Sequence, residues 1–220
     1  MDNFEIIDDE AENINKGDET WKILIIDDEP SIHQVTIYTL KNISFFDKKL
    51  EFISAFNARE AAEILSKNTD IALALVDVVM EDEKAGLNLV EQIREELNNH
   101  SIRLIIRTGQ PGDSSESQIS RNYDIHAYFN KVELSSDKLS SIIYSAIRSY
   151  KDISELHIKN QQLIDLSFGI RESLNGFVGY MRIAHKTNDI AKKNKALEKA
   201  NRLSTQLIES ISTHLEKIDR

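Results

Sequence analysis

The 220 residues contain no cysteine, which excludes disulfides, thiol nucleophiles and thiolate metal ligands. Proline occurs only at Pro30 and Pro111, and glycine only seven times. Beyond Lys131 there is no proline, and glycine stands only at Gly169, Gly176 and Gly179, so little there interrupts a helix. Long hydrophobic runs are also missing. The stretch Ile71–Met80, IALALVDVVM, is ten residues long, too short to span a bilayer. No signal peptide is visible, and the expected location is the cytoplasm, with no membrane partner. Positive charge is in deficit. Lys and Arg number 27 against 37 Asp and Glu, a formal net charge of −10, which speaks against nucleic acid as the main partner.

A hydrophobic content of 40% supports an ordinary core, and the length suits one or two domains. Residues 1–19 concentrate acid: Asp2, Glu5, Asp8, Asp9, Glu10, Glu12, Asp18 and Glu19 face only Lys16. They read as an acidic, disordered tail. Its IIDDE recurs at Ile25–Glu29, but only the second copy precedes a helix.

Ile71–Met80 is the stretch around which the chain is organised. Its length and β-branching predict a central strand buried on both faces. Asp77 interrupts it, and a buried charge without compensation is costly. A turn-capping aspartate is the plain alternative. The surroundings decide between them. Lys22–Ile26 predicts a strand, followed by Asp27-Asp28-Glu29 and a helix opened by Pro30. Ile32, Val35, Thr39, Leu40 and Ile43 then recur at helical spacing. Leu50–Phe56 predicts a strand, and Asn57 with Glu60 a capping box. After the Asp77 strand come a loop to Gly86 and a helix with Leu87, Val90, Ile93 and Leu97 inward. Ile102–Arg107 and His126–Phe129 are the last two strands. Thr108–Gly112 is a loop, and Ser135–Asp137 caps a long helix.

Alternating strands and helices predict a five-stranded parallel, doubly wound α/β sheet. Ligands bind such sheets at the carboxyl ends of the strands. There the chain places Asp27, Asp28, Asp77, Thr108 and Lys131. Clustered carboxylates repel one another unless a cation intervenes, and hard oxygen ligands suit Mg²⁺. A carboxylate beside the metal can act as a phosphoryl acceptor, with metal and ammonium stabilising the moving oxygens.

On these residues, with Tyr128 three positions before Lys131, residues 20–149 resemble a response-regulator receiver domain of two-component signalling. WKILIIDDEPSIHQVT, ALVDVVMEDEKAGLNLV, IIRTGQPG and YDIHAYFNKVEL resemble the receivers found upstream of kinase or cyclic-dinucleotide turnover modules. The resemblance implies that Asp77 accepts phosphate from a cognate histidine kinase. It implies that Asp28, Asp77 and the Val79 carbonyl bind Mg²⁺, with Asp27 helping through water. Thr108 and Lys131 would contact the phosphoryl group, and Thr108 and Tyr128 would move together as a switch. Val132 and Glu81 depart from the usual prolines, and the loop to Gly86 is a residue longer than usual. Val79 is apolar and cannot orient a hydrolytic water, which implies slow self-dephosphorylation.

In residues 150–220 the apolar positions keep a helical repeat, from Ile153 and Leu156 through Leu163, Ile170, Leu174, Phe177, Met181 and Ala184. A helix from Asp137 to about Lys186 would be roughly 75 Å long. Thr187–Asp189 turns the chain, Asp189 caps the next helix, and Ala200, Leu207, Ile211, Leu215 and Ile218 share a stripe. Two such helices bury little alone, so a homodimeric four-helix bundle is expected. Ser167–Tyr180 is similar to the phosphoacceptor helix of sensor histidine kinases: Arg171, Leu174, Asn175, Gly176 and Gly179 match. The histidine position, however, holds Phe168, and Gly169 replaces the acid after it. The resemblance implies a degenerate dimerisation hairpin, not an enzyme. Phe168 lies off the apolar stripe and is expected to be exposed, with His157 on the same outward face. Both are candidates for docking a downstream signalling protein; solvated side chains are the plain reading. A phosphotransfer intermediate using His157, His185 or His214 and a pseudo-kinase scaffold are the alternative functions.

Overall fold

A computed structural model describes residues 20–109, 124–131 and 135–218, with side chains to residue 213. The acidic segment 1–19, the loop residues Gln110–Gly112 and Val132 lie outside the described residues. The chain divides into two compact units between Lys151 and Asp152.

In the first unit, β1 (Thr20–Ile26), α1 (Pro30–Leu40), β2 (Ser44–Phe45), β3 (Lys48–Ala55), α2 (Ala58–Lys67), β4 (Ile71–Asp77), α3 (Ala85–Glu91), β5 (Arg103–Thr108) and β6 (Ala127–Asn130) follow in order. The helix α4 (Ser136–Lys186) begins in this unit, and α5 (Ile190–Ile218) ends the chain. The sheet order is β2-β3-β1-β4-β5-β6. The five expected strands pair in parallel, with β1 and β4 central. The expected sheet lacked a strand: β2, two residues long, adds an antiparallel edge to β3. It is too short to leave a period-two signal. Its turn places Phe46 (φ 53°) and Asp47 (φ 62°) in the left-handed region. Contacts favour that turn: Phe46 stacks on Tyr144 of α4 at 5.4 Å, and Trp21 Nε1 donates to the Phe45 carbonyl at 2.8 Å.

β4 is buried at every residue, as its apolar run requires. One face of the sheet packs Leu24, Ile26, Val76, Leu104 and Ile106 against α2 and α3. The other packs Ile23, Ile25, Leu75, Ile105 and Phe129 against Leu40 of α1 and Leu139 and Ile143 of α4. Two helix faces differ from the expected ones. In α1 the buried residues are His33, Thr36 and Leu40, while Val35 is exposed. After α3 a π-turn, Gln92–Glu96, adds a residue to the turn. It leaves Leu97 exposed and turns Arg94 inward. Arg94 there donates to the Ile102 and Asp124 carbonyls at 3.1 and 2.9 Å. Burial lowers its pKa to about 10, despite the nearby Asp124.

The expected caps form. Asn57 Oδ1 accepts from the Glu60 amide at 2.8 Å, and the Glu60 carboxylate accepts from the Phe56 amide at 2.8 Å. Ser135 Oγ accepts from Lys138 N at 3.3 Å, opening α4. In the second unit Asp189 Oδ1 accepts from Ala191 and Lys192 at 2.9 and 3.2 Å, opening α5 after the turn at Thr187. There α4 and α5 approach through small residues. Ala184, Ala196 and Ala200 are buried, and a Cβ on Gly176 would meet Leu203 Cδ1 at 2.9 Å.

Gly86 fixes how closely α3 approaches the end of β4. Its amide donates to the Val78 carbonyl at 3.1 Å. A Cβ there would stand 1.8 Å from the Asp77 carbonyl oxygen. Backbone cannot yield as a flexible side chain would. Gly86→Ala is therefore expected to cost at least about 3 kcal/mol of stability in urea denaturation. Gly169→Ala, at an open position in α4, is expected to gain about 0.5–1 kcal/mol. Equal effects would contradict this account of Gly86.

Candidate functional site at the carboxyl end of the sheet

Four charged residues continue one core face at the carboxyl ends of the strands. Asp27, Asp77, Arg107 and Lys131 each stand two positions after Ile25, Leu75, Ile105 and Phe129, which share one hydrophobic cluster. Period-two alternation carries that face past the core, so the charges arrive together. Asp27 is 0% and Asp77 4% exposed. Lys131 Nζ lies 2.8 Å from Asp77 Oδ2 and 3.0 Å from Asp27 Oδ2. Arg107 Nη2 lies 3.4 Å from the same Asp27 oxygen. Ligand atoms of Asp27, Asp28 and Asp77 lie within 4.8 Å of one another, with Asp28 exposed. These hard oxygens fit a small divalent cation with retained waters.

Neighbouring residues hold the site in shape. The Asp27 carboxylate accepts from the Glu29 amide at 3.1 Å, and the Asp27 amide donates to the Ala55 carbonyl at 3.2 Å. His33 Nε2 lies 2.8 Å from the Asp27 carbonyl oxygen, which can only accept, so Nε2 carries the proton. Nδ1 lies 2.9 Å from Ser54 Oγ. Past Asp77, the Val78 amide donates to the Arg107 carbonyl at 3.1 Å. Val79 is 43% exposed at the rim. Glu81 has a local reason: its carboxylate accepts from Ala58 N at 3.0 Å, tying the loop to the start of α2. Thr108 is buried, and alternation places it on the sheet face of Ile106 and Tyr128, opposite the charged row.

Burial pushes the Asp77 carboxyl above the usual carboxylate range, against the pull of the Lys131 hydrogen bond and charge. Burial alone would lower Lys131, but its bonds to Asp77 and Asp27 outweigh it and raise its pKa. Both shifts describe charges removed from water and held by each other.

Of the receiver residues expected from the sequence, Asp27, Asp28, Asp77 and Lys131 lie together at this end of the sheet, whereas Tyr128 packs on the opposite face, paired with Ile106. Arg107 and His33 were not among them. Arg107 read as the last residue of an apolar strand, yet its phase with Ile105 required burial. His33 sat among the exposed-looking positions of α1. In the second unit Phe168 is 69% exposed, as expected, and His157 is exposed. Leu156, Leu163, Leu174 and Met181 are also exposed.

No protein-family profile matches the chain. It is 43% identical over 157 residues to 3'3'-cGAMP-specific phosphodiesterase 2 of Vibrio cholerae serotype O1, covering 71% of this chain and 30% of that protein. The chain thus spans under a third of that relative's length. Among solved structures, a response regulator receiver domain protein from Clostridium thermocellum matches with TM-score 0.51 and 24% identity, covering 60% of this chain and 98% of that one. The receiver domain of an HD domain-containing protein from Pseudomonas fluorescens Pf-5 matches with TM-score 0.50 and 20% identity, over 61% and 99%. The sheet order, the charged strand ends and these likenesses agree: the first unit has the response-regulator receiver fold, and a helical segment follows it.

Proposed function

We propose that this protein is a two-component response regulator that accepts a phosphoryl group on Asp77 from the phosphohistidine of a partner kinase. The observation that carries the reading is Lys131 Nζ, held at 2.8 Å from Asp77 and 3.0 Å from Asp27. An ammonium there offsets charge on Asp77 before transfer and on the phosphoryl oxygens after it. An Asp77 carboxylate oxygen forms the new bond to phosphorus. The phosphorus–nitrogen bond of the donor breaks, and the imidazole keeps the electron pair and takes up a proton. Asp27, Asp28, Asp77 and the Val79 carbonyl would hold Mg²⁺, which supplies charge neutralisation for the transferring oxygens. Thr108 would contact the phosphoryl group by moving toward it, and Tyr128, on the same sheet face, would follow. α4 is common to both units and is the proposed route from this switch to the helical segment.

The output is proposed as non-catalytic: homodimerisation through residues 150–220, with Phe168 and His157 docking a downstream signalling protein. On an α-helix Leu156, Leu163, Leu174 and Met181 fall within about 20° of one line. All four are exposed in a single chain, and a second copy would cover them.

Acetyl phosphate with Mg²⁺ is expected to add one phosphate to the wild type and none to Asp77→Asn, read by intact mass. Val79 gives the phosphate no water-orienting group, so its half-life is expected to exceed an hour. Labelling of Asp77→Asn, or decay within seconds, would contradict the assignment. Light scattering of the full chain is expected to give twice the chain mass, and Leu163→Asp with Leu174→Asp to return it to one. A wild-type monomer would remove the dimer.

A further inference from the structure

The phosphoryl chemistry uses Asp27, Asp77 and Lys131, and leaves Arg107 without a part. Arg107 is 2% exposed. Nη1 donates to Thr36 Oγ1 at 3.1 Å, and Nη2 faces Asp27 at 3.4 Å. Nε is buried with no hydrogen-bond partner among the described residues. Leaving a buried donor unmade costs about 1–3 kcal/mol. Hydrogen bonding is thus a poor reason for this residue, and charge is the better one. Burial lowers the Arg107 pKa, against the pull of Asp27 and Asp77, from the high value that makes a guanidinium a persistent cation.

Charge counting shows what it does. The cluster holds two buried carboxylates, Asp27 and Asp77, and two cations, the buried Arg107 and the half-buried Lys131. They balance. Adding the exposed Asp28 leaves one net negative charge; without Arg107 the cluster would carry two. Asp27 is also engaged at both oxygens. Oδ1 accepts from Glu29 N, and Oδ2 is shared by Lys131 and Arg107.

We propose that Arg107 is a built-in counter-ion that sets the divalent-cation affinity of the acid cluster. It neutralises Asp27 from the side of α1, so the metal-free cluster is already balanced and a cation gains less by entering. Arg107 acts through Asp27 and touches no reacting atom, so it is a positioning residue. This rests on the proposed metal role of the cluster.

The test is Mg²⁺ titration calorimetry on full-length wild type, Arg107→Met and Arg107→Lys. One charge lost a few ångströms from the ion at an effective dielectric of about 20 is worth on the order of a hundredfold or more. Arg107→Met is expected to bind Mg²⁺ about that much tighter, and Arg107→Lys within about twofold of wild type. Unchanged or weaker binding by Arg107→Met, beside a wild type that binds, would overturn the inference and leave the metal reading intact. If Arg107→Met unfolds in chelator, Mg²⁺ is expected to restore its circular dichroism. Failure to fold at every Mg²⁺ concentration would make Arg107 purely structural. Absence of Mg²⁺ binding in all three proteins would remove the metal reading together with the inference.

Discussion

Two carboxylates buried at the end of a sheet have to be held by cations, and most of the first unit follows from that requirement. Left unpaired, each would cost several kcal/mol after relaxation. Lys131 meets both at hydrogen-bonding distance, and Arg107 meets Asp27 a second time. This geometry needs β1, β4, β5 and β6 side by side and in register, so that alternation delivers four charges to one face. It also needs α3 close behind Asp77, which only a glycine at position 86 permits. The main chain at Asp27 is pinned by His33 and Ala55, and that at Val78 by Arg107.

Such a cluster is a poor device for stability. Apolar residues of the same shape would serve the fold as well or better. The burial that raises the Asp77 pKa is a cost borne by the rest of the core, from the fully buried β4 to the two flanking clusters. The cluster lies at the carboxyl ends of a doubly wound sheet, where ligands of such sheets bind. The left-handed turn at Phe46 is a smaller instance of the same exchange. Local strain there is offset by stacking that fixes the start of α4.

Much of this was legible in the sequence. A ten-residue apolar run broken by one acid, an acid pair after a β-branched strand and a lysine after a short one sufficed for the fold and the row of strand ends. Asn57, Ser135 and Asp189 announced their caps because a side-chain oxygen three residues before an amide leaves a local signal, and Glu60 reaches back to the Phe56 amide. What was missed is non-local. Arg107 looks like a strand terminus until the neighbouring strands show that its face is buried. His33 takes the inner face of α1, where Val35 was expected, with ring nitrogens partnered by Asp27 just past β1 and by Ser54 of β3. Leu97 was lost from the α3 face because a π-turn shifts helical phase, and apolar periodicity cannot register an inserted residue. β2 is two residues long and exists through its partners.

On the proposed function, Lys131 exchanges carboxylate partners for a phosphoryl group on Asp77. Lysine side-chain NMR of the ¹⁵N-labelled protein with Mg²⁺, before and after adding beryllofluoride, tests it directly. The account predicts one Lys131 ammonium resonance, absent in Lys131→Met, that shifts on addition and does not shift in Asp77→Asn. A Lys131 resonance that stays in place while beryllofluoride binds would contradict it.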